Sequence, residues 1–155
     1  MSRKFLASAL AGLVLLSGSA GLAAEPLGTA EQAKALLDRA IAALKTDEAA
    51  ALKQFNDENN KNFRERDLFV YCFSTNDGKF TAYESPFLLG ADIRELKLYG
   101  EPMGKQAFDL VHDAPEGKVV TIEFKMPKPG TKTPSPKEAY LTRVGHQGCA
   151  VSYFK

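Results

Sequence analysis

The apolar positions of this chain change period twice. Ala33, Leu36, Leu37, Ala40, Ile41 and Leu44 recur every three or four residues, which predicts one apolar face on a long helix over Thr29–Leu44. Thr29 followed by Gln32 has the form of a capping box at its start. Thr46 or Asp47 can cap a second helix carrying Ala51, Leu52 and Phe55, and the polar stretch Asn56–Arg66 then ends the helical run. From Leu68 the pattern becomes a continuous apolar and aromatic run through Phe73, which predicts a strand covered on both faces. Asn76-Asp77-Gly78 is a tight-turn signal, and Lys79–Glu84 is the returning strand. Ser85–Tyr99 and Glu101–Asp113 read as short helices, broken at Gly90, Gly100, Pro102 and Gly104.

Alternation then returns. Lys118–Met126 places Val120, Ile122, Phe124 and Met126 on one face. Pro127, Pro129, Pro134 and Pro136 predict a stiff loop that cannot donate ladder hydrogen bonds at those positions. Lys137–Val144 and Cys149–Phe154 are the last two strands, separated by Gly145-His146-Gln147-Gly148. The expected fold class is therefore α+β: a long N-terminal helix packed on a five-stranded antiparallel sheet.

Composition divides the 155 residues unequally. The first 24 contain no acid. Arg3 and Lys4 precede an apolar stretch, Phe5–Leu16, and small residues follow up to Ala24, the tripartite form of an export signal. The expected organisation is a signal over 1–23, a linker over 24–28 and a single domain over 29–155. Cleavage after Ala24 and retention of the segment as an anchor are the alternatives. Removing 23 residues, Arg3 and Lys4 among them, leaves 132 that carry 18 basic and 19 acidic side chains. A near-neutral balance gives no electrostatic footprint for nucleic acid. The location implied is the periplasm or the exterior.

The order helix, hairpin, short helices, three strands is PAS-like. Within it, Asp67-Leu68-Phe69-Val70-Tyr71-Cys72-Phe73 with Asn76-Asp77-Gly78 resembles the opening strand and turn of single-Cache sensor domains. Leu89-Gly90-Ala91-Asp92 resembles the segment after their hairpin. Met126-Pro127-Lys128-Pro129-Gly130 with Lys137 and Tyr140 resembles their Pro-rich loop and next strand, and Gly148–Tyr153 their closing strand. The resemblance covers Thr29–Lys155. Ala82-Tyr83 departs from it, because the family commonly carries Ala-His there. The chain also stops at Lys155, directly after the last strand, so the expectation is a stand-alone domain rather than the outer part of a receptor.

That resemblance sets the candidate chemistry. Cys72 and Cys149 would lie on neighbouring strands, and an exported chain meets an oxidising compartment, so a disulfide is expected; a redox pair and two buried thiols are the alternatives. His112 and His146 stand in no metal-ligand or nucleophile pattern, so neither a metal, a cofactor nor an enzyme activity is expected. Cache pockets imply a small-molecule ligand, with a small organic acid as the expected class. Tyr71, Phe73, Tyr83 and Tyr140 are the candidate aromatic wall and phenol donors, and Lys137 or Arg143 the cation that replaces an acid's hydration. Each of these residues has an ordinary alternative as a core aromatic or a solvated cation. The partner implied is a membrane receptor or transporter, and the Ala-rich helix face offers a homodimer contact. The rival reading is an envelope protein that docks on other proteins without a ligand.

Overall fold

The computed structural model describes residues 26–155. The expected signal over 1–23, and the start of the linker, lie outside them. Helix α1 spans Ala30–Thr46, and its capping box forms as the sequence predicts: the Gln32 N–H donates to the Thr29 hydroxyl and the Thr29 N–H to the Gln32 side chain. Asp47, rather than Thr46, caps α2 (Glu48–Phe55) by accepting from the Ala50 N–H at 3.0 Å.

The strands are β1 (Arg64–Glu65), β2 (Leu68–Ser74), β3 (Phe80–Ala82), β4 (Val120–Pro127), β5 (Pro134–Val144) and β6 (Gln147–Phe154). All pair antiparallel, in the order β1-β2-β6-β5-β4, with β3 also on β2. The sheet thus has the five expected strands plus β1, a two-residue strand in the polar stretch that gave no periodicity. Arg66, at φ 59°, and Asp67 turn β1 into β2.

Two cores explain the unbroken apolar run of β2. Leu68, Val70 and Cys72 face α1 and α2 with Val144, Cys149 and Val151. Tyr71 and Phe73 face the other side with Phe80, Ala139, Leu141 and Ala150. Between them, Cys72 and Cys149 are directly opposed and joined by a disulfide on the helix side. Ala33, Leu36, Leu37 and Ala40 of α1 are wholly buried there, so the predicted apolar face packs on the sheet.

Two segments differ from expectation. Ser85–Tyr99 forms 3-10 turns at Pro86–Leu88 and Ile93–Glu95 rather than a helix; Gly90 at φ 81° and the Asp92 side chain capping Arg94 replace helical bonding with local turns. The helix that follows, α3, covers Met103–Asp113. In addition, β5 starts at Pro134, three residues early. Pro134 and Pro136 lie beyond the β6 pairing, which begins at Lys137, so their missing N–H groups leave β6 no unmatched acceptor.

Candidate functional site

On the sheet face opposite α1 lies a cavity of about 770 Å³. Its floor comes from alternate residues of four strands: Phe69 and Tyr71 of β2, Ser152 and Phe154 of β6, Lys137 of β5, and Phe124 and Met126 of β4. Ile93, Leu96 and Leu98 of the crossover, with Met103 and Ala107 of α3, make the opposite wall. Pro127–Pro129 and Thr131 close one side. Pro26 and Leu27 close another, held by Gly28 N–H donating to Asp67 Oδ1 at 2.6 Å and Arg66 donating to the Leu27 carbonyl at 3.1 Å. Residues read as linker therefore form part of the wall.

Four aromatic rings pack at one end. Tyr83 lies 5.6 Å from Phe69, 5.9 Å from Tyr71 and 5.0 Å from Phe80, edge-on or tilted in each case. The clamp behind them is Asn56, which accepts from Tyr83 N–H and donates to the Thr81 carbonyl. The Tyr71 hydroxyl shares a hydrogen bond of 3.2 Å with Ser152 Oγ. Burial pushes that phenol up to about 12, only partly offset by Ser152, so it stays protonated and can donate.

Lys137 supplies the charge. It is 7% exposed, opposed by Phe124 on one neighbouring strand and Phe154 on the other. Its Nζ stands 4.5 Å above the Phe154 ring, and Lys128 approaches the same ring at 5.9 Å. Among the described residues no carboxylate comes within 4 Å of the Lys137 ammonium and no hydrogen bond holds it. Burial pushes its pKa down, against a smaller opposing pull from Asp67 and Glu84. The cavity wall therefore carries a buried cation without an ion pair among the described residues, on the same sheet face as a phenol and a hydroxyl. Those groups can bind and orient an anion.

The structure brings Tyr71, Tyr83 and Lys137 together on the cavity wall and places the other three predicted residues elsewhere. Phe73 shares the face of Tyr71 but is wholly buried against Phe108, 5.9 Å away, filling core rather than cavity. Tyr140 lies on the helix side, stacked on Tyr153 at 5.5 Å. Arg143 is at the far end of β5, donating to the Ala114 carbonyl at 3.3 Å. Conversely, Phe69, Phe124, Met126, Ser152 and Phe154 belong to the wall and were not singled out in the sequence, though the two-residue alternation already aligned Phe124 with Met126.

Among the described residues no helix is long and apolar enough to cross a membrane, and no group of three His, Cys, Asp or Glu could hold a metal ion. Neither a protein-family model nor a curated protein sequence matches the chain. Solved structures do. A methyl-accepting chemotaxis protein from Vibrio parahaemolyticus matches with TM-score 0.61 at 17% identity, over 80% of this chain and 86% of that one. A periplasmic sensor domain of a chemotaxis protein matches with TM-score 0.55 at 17% identity, over 80% and 88%. A Cache chemosensory domain described for carboxylic acid recognition matches with TM-score 0.55 at 16% identity, over 80% and 86%. Helix first, hairpin, crossover and meander in this order, with the cavity on the open sheet face, give this chain the fold of the Cache sensor domains.

Proposed function

We propose that the protein is an extracytoplasmic sensing domain that binds a small organic acid and presents its bound state to a membrane receptor or transporter. The observation that carries this reading is Lys137, a cation buried in an apolar cavity without an ion pair among the described residues. An uncompensated charge removed from water costs several kcal/mol, and a ligand carboxylate is the group that offsets it. The Tyr71 hydroxyl and Ser152 supply directed bonds, and the Phe69, Phe80 and Tyr83 rings exclude water. The fold likeness to a Cache domain that recognises carboxylic acids supports the same class of ligand. The function is binding without a chemical step.

A docking protein without a ligand would gain nothing from an unpaired cation beneath its surface. The test is thermal denaturation of the mature protein against a panel of organic acids, amino acids, sugars and amines. One or more acids at a hundredfold excess over Kd should stabilise by about 2.7 kcal/mol, and Lys137→Met should abolish the shift. Stabilisation by neutral or cationic compounds alone, or by none, contradicts the reading.

A further inference from the structure

Size and wall chemistry say more about the ligand than charge does. The cavity, at about 770 Å³, has room for roughly 25 waters at their liquid volume. An acid of two or three carbons has about as many heavy atoms as five waters and would leave most of that space wet. The space is not polar enough to hold water well, because Ile93, Leu96, Leu98, Met103, Phe124 and Met126 line it opposite and beside the ammonium. Its charged lining groups lie near one another: Lys137 and Lys128 share the Phe154 ring, Asp67 and Glu84 pull on the Lys137 ammonium, and Arg66 adjoins Asp67. One polar end and a long apolar remainder describe the outline of an amphipathic molecule.

We infer that the ligand is a monocarboxylate with an apolar tail of medium length, held by its carboxylate at Lys137 and by its tail against the crossover and β4. This rests on the acid-binding reading above and narrows it. The two lining methionines, Met103 and Met126, fit the assignment, because an unbranched thioether adapts to tails of differing shape. The Lys137 ammonium stands over the Phe154 ring, so apolar surface lies directly beside the charge.

The experiment is isothermal titration of the mature protein with the sodium salts of acetate, butanoate, hexanoate and octanoate, beside 1-hexanol. Each methylene that leaves water in the cavity should tighten binding about fourfold, so affinity should climb about fifteenfold per two carbons until the tail fills the space. Leu98→Asn, at a half-buried position of the wall, should weaken octanoate several-fold and by clearly more than it weakens butanoate. Short acids binding as tightly as long ones would overturn the tail assignment and leave the acid reading intact. If 1-hexanol binds as tightly as hexanoate, the carboxylate contact itself fails, and the inference with it. Binding of none of the five by folded protein overturns the inference, and the wider acid panel above then decides the acid reading.

Discussion

The Lys137 ammonium lies 4.5 Å from the centre of the Phe154 ring, and among the described residues no carboxylate comes within 4 Å of it. A ring face attracts a cation without cancelling its charge, so the site holds Lys137 in place and still leaves it a strong attractor for an anion. Replacing this lysine should therefore separate stability from binding. Lys137→Met keeps the apolar stem and removes the desolvated charge, and should raise the unfolding free energy by about 1–2 kcal/mol while abolishing acid binding. Denaturant unfolding and calorimetric titration of one preparation check both halves.

Two residues of the cavity wall, Lys137 and Tyr71, give opposite slopes at alkaline pH. Burial lowers the folded pKa of Lys137, so the unfolded chain holds more protons below the ordinary lysine value and stability rises with pH in that window. Tyr71 behaves in reverse. Its folded pKa is raised to about 12 from 10.0, so its contribution is fully present below pH 10 and is lost between about pH 10 and 12, by up to about 3 kcal/mol. Unfolding curves from pH 8 to 12 should show the loss flattened in Tyr71→Phe and the preceding rise removed in Lys137→Met.

The disulfide should matter to the fold and not to the ligand. Cys72 and Cys149 are separated by 77 positions and lie on the helix side of the sheet, away from the cavity. Converting both to alanine removes a cross-link worth ~4 kcal/mol in the chain-entropy account. A fall in Tm on the order of 15 °C is expected, with acid affinity at low temperature unchanged. A thiol assay on the denatured, unreduced protein should find no free cysteine.

Two glycines distinguish core damage from cavity damage. A methyl on Gly148 would meet the Phe73 ring at 2.6 Å and Val111 at 2.8 Å, both in packed core. One on Gly104 would collide with the Ile93 carbonyl and push α3 from the crossover that walls the cavity. Each alanine variant should cost about 1–3 kcal/mol. Only Gly104→Ala should also change acid affinity, measured by titration well below its lowered Tm.

Much of this arrangement is legible in the sequence, and the misses have physical causes. The capping box at Thr29, the doubly buried run at Leu68–Phe73 and the alternation from Val120 to Met126 each follow from local spacing. The resemblance puts Tyr140 in the cavity, yet it is three residues from Lys137; an odd separation on one strand puts two side chains on opposite faces, so parity alone excludes the pair. Arg143 has the right parity but lies six residues, or about 20 Å, along β5 from Lys137. Leu96 and Leu98 could not be placed, because they belong to irregular chain whose path is set by turns at Gly90 and Asp92 rather than by a repeat. Pro26 and Leu27 were hidden for a similar reason, since bonds to the Arg66-Asp67 turn decide where they sit.

The most direct measurement is the titration of Lys137 itself, followed by NMR in protein labelled at the lysine ε-carbons, with and without saturating butanoate. The resonance missing from Lys137→Met should titrate below the surface lysines in the free protein, as its burial without a carboxylate partner requires. Butanoate should move that midpoint upward, because a bound carboxylate favours the charged form. A Lys137 that titrates with the surface lysines and ignores the acid would contradict the account.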